Sequence, residues 1–434
     1  MALEPLSPRR RIMKTIPLHT CCSALSFSLL ASSFGGDYSL SDLAHQPSGQ
    51  PDAFQWLTPS LDLNSRYEFR EQDGLDPSNA LTIRARLGLT LGEFHGFSAF
   101  AEGEFTGAAI TDFRSNPTGS NTTFPFEEGN TPIADPQNAE LNRAWVQYKK
   151  EGWLAKVGRQ RIIRNNAAFI GNVGWRQNEQ TFDAAQIGYN NETFSLSYVY
   201  SDRVQRIFGN DANDAPPGPP LHDFEGEFHF IDGSYKADFG TIGGYAYLID
   251  VDNNANVGES NTYGAFTTIG GLYAEFAFQD GTSNIGGDYE AVYGHLKYTH
   301  KIRKTSLIAG VEYLEDDFKT PFATVHAFNG FADAFVLDRI GLRNGPDGTF
   351  EGLTDSYLGF VRPGLPGGVT MKGFLHYYAD DSLENSYGYE ADLILAKKFT
   401  DNISGLIKAA YFLADDSSAY SDIAQVSVDL TYKF

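Results

Sequence analysis

Arginine residues recur two or four residues apart in the first segments of the chain that could form β-strands. Arg66 and Arg70 flank Glu68 in the first segment, and Arg84 and Arg86 lie in the second. Side chains two residues apart point to the same face of a strand. Because a guanidinium group is a planar donor that matches carboxylates and phosphates, this spacing would place several anion-binding groups on one face of a sheet.

Further arginines and carboxylates extend this pattern. Glu102 and Glu104 lie in the third predicted strand, and the later arginines are Arg143, Arg159, Arg161, Arg164 and Arg176. Interior arginines can guide an anion through a pore. The same residues, in a ladder of arginine-carboxylate pairs, can brace a barrel wall. The residue types favour neither role over the other.

The elements that would position these residues are strands. From Trp56 onward, apolar residues alternate with polar or small ones in segments of 10 to 15 residues. In the second segment Leu87, Leu89 and Leu91 share one face, and the arginines lie on the other. This repeat of two residues is typical of β-strands.

The connections between the predicted strands alternate between short turns and long polar loops. Long connections include residues 111–138, 164–178, 204–225 and 317–350. Short turns and long loops around an even number of strands predict an all-β fold, a transmembrane antiparallel up-and-down β-barrel with short periplasmic turns and long extracellular loops. A soluble sandwich would not ordinarily keep these two kinds of connection apart. The expected strands, eighteen in number, lie near residues 56–70, 80–92, 95–110, 139–150, 152–163, 179–190, 192–203, 226–238, 240–252, 260–269, 271–280, 288–301, 303–316, 351–361, 368–380, 386–398, 402–414 and 421–434.

The N-terminus predicts export from the cytoplasm. Arg9, Arg10, Arg11 and Lys14 precede a mainly apolar stretch that ends near residue 30. Positive, then apolar, then small residues are the order of a secretory signal. We therefore assign residues 1–36 to a signal peptide, 37–55 to a short periplasmic lead-in and 56–434 to the barrel channel.

Cysteine content and charge narrow the function. Both cysteines, Cys21 and Cys22, lie in the predicted signal peptide, so the exported chain would have no thiol for a disulfide, a zinc site or a nucleophile. Without residues 1–36 the chain has 29 basic and 54 acidic residues, and this negative charge argues against nucleic acid as a partner. No nucleophile elbow, zinc-protease motif or phosphate-binding loop occurs. We expect neither catalysis nor a cofactor.

Acidic residues are concentrated in the later part of the chain. Residues 177–434 contain 37 acidic and 16 basic residues, whereas residues 56–176 contain 14 and 13. Several, such as Asp316, Asp317 and Asp381, fall at the ends of predicted strands. A solvated extracellular rim and a surface that binds divalent cations are both compatible with this pattern. Because no twelve-residue calcium loop is present, we expect no dedicated metal site.

The last segment alternates up to the terminal carboxylate. Val428, Leu430, Tyr432 and Phe434 share one face of it. The segment resembles the C-terminal signal of outer-membrane proteins, whose final aromatic residue is read by the barrel-assembly machinery. We therefore predict that the protein lies in the bacterial outer membrane, in contact with lipid and lipopolysaccharide, and that Phe434 is its assembly signal.

Several motifs resemble the alginate-export family of outer-membrane proteins. They are Gly158-Arg159-Gln160-Arg161, Gly174-Trp175-Arg176-Gln177-Asn178, Thr181-Phe182-Asp183-Ala184, Asn142-Arg143-Ala144-Trp145 and the stretch from His326 to Asp333. The resemblance implies an eighteen-stranded barrel with an arginine-rich constriction for an anionic polysaccharide such as alginate. It carries over to Arg84, Arg86, Arg143, Arg159 and Arg176. The acidic C-terminal half departs from that picture.

These patterns predict a porin-like channel through which hydrophilic, anionic solutes diffuse passively, with the arginines lowering the electrostatic barrier. One alternative is a general or phosphate-type porin without specificity for a polysaccharide. Another is a plugged barrel with a structural, adhesive or lipid-face enzymatic role, in which residues 111–138 and 317–350 fold inward. Trp145, Trp153 and Trp175 are expected in an aromatic girdle at the membrane interface.

Overall fold

A computed structural model describes residues 56–116, 124–210, 212, 222–284 and 286–434. These residues form eighteen strands in a single sheet, in which each strand pairs antiparallel with its neighbours in sequence. β1 also pairs with β18, so the sheet closes on itself. The predicted antiparallel β-barrel is confirmed. Its strands are β1 (Leu57–Gln72), β2 (Ser78–Phe94), β3 (Phe97–Asp112), β4 (Asn138–Lys150), β5 (Trp153–Gln160), β6 (Thr181–Asn190), β7 (Phe194–Gln205), β8 (Asp223–Ala237), β9 (Gly240–Val251), β10 (Glu259–Ile269), β11 (Leu272–Ser283), β12 (Gly287–Ile302), β13 (Thr305–Leu314), β14 (Leu353–Leu365), β15 (Val369–Ala379), β16 (Ser386–Lys398), β17 (Ile403–Ala414) and β18 (Ile423–Lys433).

The strands separate apolar from polar side chains as their alternation predicts. In β2, Ile83 and Leu87 are 49% and 53% exposed, whereas Arg84 and Arg86 are 6% and 5% exposed. A barrel in a membrane turns alternate residues to hydrocarbon, and its closure pairs every strand edge. The face of Ile83 and Leu87 is therefore the lipid-facing one, and the arginines face the lumen.

Tight turns connect neighbouring strands at the end of the barrel where the connections are short. Between β2 and β3, His95 and Gly96 have φ angles of 52° and 93°. Two-residue hairpins of this kind need positive φ at both positions, which glycine adopts without strain. A Cβ atom on Gly96 would also lie 2.9 Å from the ring of Tyr148, so this turn requires glycine for two reasons.

Two long loops fold into the lumen, namely residues 161–180 between β5 and β6 and residues 315–352 between β13 and β14. β5 ends at Gln160, three residues before the expected boundary, because the chain turns inward there and Arg164 reaches Asp232 on β8. The loop between β3 and β4 also contributes buried side chains, Phe113 and Ile133, from the part that the structure describes.

The largest apolar cluster lies inside the barrel. Phe169 of the 161–180 loop packs against Tyr245 and Tyr293 of the wall, with ring centroids 5.4 and 5.0 Å apart. Phe322 of the 315–352 loop packs against Phe228, with ring centroids 4.9 Å apart. Aromatic groups of the loops and of strands from β6 to β17 therefore form one cluster in the lumen.

Helical structure in the described residues is limited to short turns at Val325–Ala327, Val336–Arg339 and Pro366–Gly368. None of these helices is long and apolar enough to cross a membrane. The predicted signal peptide and periplasmic lead-in, residues 1–36 and 37–55, lie outside the described residues.

Candidate functional site in the lumen

The inward-facing arginines of β1 and β2 are buried and bonded. Arg66 donates through Nε to Asp429 at 2.8 Å, and Arg84 lies 2.8 Å from Asp62. Arg86 pairs with Glu104 on the neighbouring strand. Because each guanidinium has a carboxylate within hydrogen-bond reach, these three residues form a ladder of ion pairs along the wall.

Four further predicted lumen arginines are paired in the same way. Arg143 and Arg161 each bind one carboxylate with two nitrogens, which is the strongest geometry for such a pair. The pairs are Arg143 with Glu102 at 2.8 Å, Arg161 with Glu179 at 2.7 Å, Arg164 with Asp232 at 3.2 Å and Arg176 with Glu68 at 3.1 Å. Glu68, Glu102 and Glu104, the three carboxylates singled out from the sequence, are all buried partners of arginines.

Several wall arginines also hold the inner loops. Arg70 donates to the carbonyl oxygen of Ala332 at 2.7 Å, in the 315–352 loop. Arg66 donates to the carbonyl oxygen of Trp175, in the 161–180 loop. Carbonyl oxygens buried away from water must find donors, and the wall supplies them. These arginines therefore fix the loops inside the barrel.

The two loops are joined to each other across the lumen. The amide of Gly171 donates to the carbonyl oxygen of Phe322 at 2.8 Å, and the amide of Val173 donates to Oγ1 of Thr324 at 3.0 Å. The indole of Trp175 then stacks on the imidazole of His326. The two loops thus form one partition rather than two independent lids.

A neutral imidazole fits the position of His326. Nε2 lies against the ammonium group of Lys408 and must accept a hydrogen bond, while Nδ1 donates to Asp333 at 2.8 Å. Burial lowers the pKa of His326 to about 3, although Asp333 opposes this effect. The ring is therefore uncharged at neutral pH, and its tautomer is set by its two neighbours.

Carboxylates of the opposite wall hold the 315–352 loop. Glu390 on β16 accepts from the amide of Ala332 at 2.7 Å. Glu312 on β13 accepts from Asn329 at 2.8 Å and from Arg339 at 3.2 Å, and Arg339 is fully buried. A charge buried this deeply is stable only when it is paired. Part of the acidic excess in the later half of the chain therefore serves to anchor this loop.

Exposure separates the lumen arginines into two groups. The side chains of Arg66, Arg84, Arg86, Arg164 and Arg176 are 5–7% exposed, whereas those of Arg143 and Arg161 are 20% and 34% exposed. A solute in the lumen can contact only groups that water can reach. Arg143 and Arg161 are therefore the arginines of this set best placed to meet one.

Arg159 does not line the lumen, so the expectation from the sequence is wrong for this residue. Val157 is exposed on the lipid-facing side of β5 and Gln160 is buried, so alternation places Arg159 on the outer face. There it binds Asp183 on β6 with two nitrogens, at 2.7 and 2.8 Å. Arg161 lies beyond the end of the strand, and the inward turn of the loop brings it into the lumen.

The expected aromatic girdle is also only partly observed. Trp153 is 53% exposed on the outer face, as a girdle residue should be. Trp175 instead lies buried in the lumen, and Trp145 lies beneath the ammonium group of Lys156, 4.2 Å from its nitrogen. The interfacial interpretation is wrong for these two residues, because one is in an inner loop and the other is on the inner face of β4.

Glu179 was not identified from the sequence. It is buried and lies within 2.9 Å of Asn142, 2.7 Å of Asn172 and 2.7 Å of Arg161. Burial alone would raise the pKa of Glu179, but Arg161 and Arg86 hold it well below its usual range. The carboxylate is therefore charged at neutral pH. Only its position between two of the quoted motifs could have pointed to it.

The acidic residues at the rim remain close together. Burial and the neighbouring carboxylates of Asp317, Asp381 and Glu351 raise the pKa of Asp316 to about 6. Among the described residues, no three or more His, Cys, Asp or Glu side chains are grouped so as to hold a metal ion.

Comparison with known proteins gives a match to a family model over part of the chain and a likeness in fold to several solved structures. The family model described as "Alginate export" matches residues 55–215. No curated protein sequence matches the chain. OccAB4 from Acinetobacter baumannii is similar in structure, with a TM-score of 0.63 and 12% identity over 87% of this chain and 97% of that one. OccK9 (OpdG) from Pseudomonas aeruginosa has a TM-score of 0.62 and 15% identity, over 87% and 98% of the two chains.

A further similar structure is OpdK from Pseudomonas aeruginosa with vanillate, with a TM-score of 0.59 and 15% identity over 87% of this chain and 98% of that one. These likenesses show the fold, a closed barrel of the outer-membrane porin type. Together with the apolar outer face, they place the protein in the bacterial outer membrane. The resemblance to the alginate-export family is thereby confirmed over residues 55–215.

Proposed function

We propose that this protein is a channel through which small anionic solutes diffuse across the outer membrane. The observation that carries the proposal is the partial exposure of Arg143 and Arg161 in the lumen, at 20% and 34% of their side chains. Because charges are screened less inside a narrow protein passage than in bulk water, such groups lower the energy of an anion that passes them.

The buried arginines contribute to this function indirectly. Arg66, Arg70 and Arg86 donate to carbonyl oxygens of the two inner loops, so they set where the partition lies. The position of the partition in turn limits the width of the open passage beside it. The interior arginines therefore divide into those that brace the wall and loops and those that face the solute, and only the second group contacts an anion.

Passage of a polysaccharide is a more demanding form of the same function. The match to the alginate-export family supports an anionic polymer as the solute. A polymer would have to pass the partition, whose loops are joined by the bond from Gly171 to Phe322. Polysaccharide export therefore requires that the loops separate, whereas small carboxylates, such as the vanillate present with OpdK, require only the lumen beside them.

The proposal is tested by the reversal potential of the purified protein in a planar bilayer under a gradient of KCl. We expect the channel to select for chloride. This selectivity should fall when Arg143→Gln and Arg161→Gln are combined, because the variant loses two water-accessible cations and keeps the carboxylates of Glu102 and Glu179. A wild-type channel that prefers potassium would overturn the proposal. Addition of alginate oligomers on either side tests the polymer, since a solute that enters the lumen interrupts the current.

A plugged barrel is the second candidate, and the joined loops favour it. If the partition closes the whole lumen, the protein conducts no steady current at any voltage. Stable open steps would exclude this candidate, and their absence in protein that has folded correctly would support it.

A further inference from the structure

Lys156 is an inward-facing cation on β5 that the sequence patterns did not single out. It is 7% exposed, and its ammonium nitrogen lies 4.2 Å from the ring centroid of Trp145. Its cross-strand neighbours are Gln147 on β4 and Gln186 on β6, both uncharged. No carboxylate among the described residues forms an ion pair with it, whereas each arginine nearby has one.

Three arginines act on the ammonium group of Lys156. Arg143 faces it from β4, and Arg161 and Arg164 face it from the 161–180 loop. These three arginines are neutralised by Glu102, Glu179 and Asp232, respectively. The group therefore contains four cations and three carboxylates. Its net charge is one positive charge, and that charge lies on Lys156.

We infer that Lys156 determines the anion selectivity of the lumen together with the water-accessible Arg143 and Arg161, and that the buried paired arginines contribute much less. This inference rests on the proposed function and names the residues responsible for it. At a distance, an arginine-carboxylate pair acts as a dipole whose field falls off quickly, whereas an uncompensated charge acts on a passing ion over several ångströms. The solute class that such a site favours is one with a single accessible negative group, such as a monocarboxylate or chloride.

Trp145 makes this arrangement possible. A buried ammonium group without a carboxylate needs some compensation, and the face of an indole ring provides it without neutralising the charge. Phe100 extends the aromatic surface, with its ring centroid 5.6 Å from that of Trp145. The cation is thereby held in place while its charge remains effective in the lumen.

The test uses reversal potentials of the full-length protein in planar bilayers at pH 6, under a KCl gradient. Lys156→Met keeps the apolar stem on Trp145 and removes the charge, so the chloride-to-potassium permeability ratio should fall by about threefold or more. Lys156→Arg should retain the wild-type ratio. The combined variant Arg164→Gln and Asp232→Asn removes a buried cation together with its carboxylate, so the ratio should stay close to that of the wild type.

The outcomes separate this inference from the proposed function. A wild-type channel without chloride preference overturns the proposed function itself. A chloride-selective wild type with an unchanged ratio in Lys156→Met overturns the inference and leaves the proposed function standing. An equal loss in the Arg164 and Asp232 variant also overturns it, because selectivity would then follow the number of cations rather than the uncompensated charge of Lys156. For each variant, a difference in gel mobility between heated and unheated samples verifies that its barrel is folded.

Discussion

The indole ring of Trp175 stacks on the imidazole ring of His326, with centroids 3.4 Å apart and planes inclined by 14°. The two residues belong to loops that are far apart in sequence and that enter the lumen between different strands. Arg176 lies over the same indole, 3.8 Å from the ring centroid, and Lys408 lies 4.4 Å from it. Arg66 of β1 lies 5.3 Å from the same ring centroid, so both loops meet cations of β1 and β17 at this contact.

Removal of the stack should loosen the partition. In Trp175→Ala, the 161–180 loop loses its aromatic contact with His326 and the cations above the indole lose their platform. We expect a larger single-channel conductance and more frequent current fluctuations, measured in planar bilayers. Trp153→Ala removes a tryptophan from the outer face and serves as the control. Equal conductance in the two variants would contradict the role of the stack.

A side chain at Gly171 should separate the loops. A Cβ atom there would lie 2.2 Å from Oγ1 of Thr324, so Gly171→Ala must displace one loop from the other. Overpacking of this kind costs ~1–3 kcal/mol. We expect a lower free energy of unfolding in urea and faster proteolysis of the 315–352 loop.

Gly107→Ala is the matched control for this change. A Cβ atom at Gly107 meets nothing within 4 Å, so this variant should keep wild-type stability and protease resistance. If Gly171→Ala behaves like Gly107→Ala, the loops do not contact each other as described.

Removal of one partner of the buried pair Arg339–Glu312 should destabilise the protein more than removal of both. Arg339→Met leaves the carboxylate of Glu312 buried without its cation, which destabilises a protein by ~3–5 kcal/mol. The double variant Arg339→Met with Glu312→Gln removes both charges and should recover much of this loss. Urea unfolding in lipid vesicles measures the difference. A single variant as stable as the double variant would contradict this pairing.

The acidic rim should make the protein more stable at mildly acidic pH. The pKa of Asp316 is raised to about 6 by burial and by its neighbours Asp317, Asp381 and Glu351, above its ordinary value of 3.8. The folded state thus binds this proton more tightly than the unfolded state, and that stabilisation is lost as pH rises from about 4 through about 6.

We therefore expect a higher melting temperature at pH 5 than at pH 7, and a smaller difference in Asp316→Asn. Asp347→Asn, in the same loop, is the control. Hydrogen bonds from Thr349 lower the pKa of Asp347, so that residue does not titrate in this interval. A pH difference that persists unchanged in Asp316→Asn would assign it to another group.

The barrel could be predicted from the sequence because the alternation of side chains depends only on residues close together in the chain. Side-chain alternation follows from the strand itself, so Arg84 and Leu87 could be assigned to opposite faces from spacing alone. Arg159 and Arg161 share a parity, yet they lie on opposite sides of the wall because the strand ends between them. Past a strand end, alternation no longer determines where a side chain points.

The inner loops could not be predicted because their contacts are distant in sequence. Lys408 meets His326 at a separation of 82 residues, and Arg66 meets Trp175 at 109. No repeat in the sequence encodes such pairs. The residue types did identify the arginines and their partners Glu68, Glu102 and Glu104, but not which of the arginines water can reach.

Single-channel recording of the purified protein in a planar bilayer tests the central claim most directly, which is that anions can still pass the lumen beside its two joined loops. We predict stable open steps whose reversal potential in a KCl gradient lies on the chloride side. A folded barrel that gives no steps at any voltage, or steps that favour potassium, would contradict it.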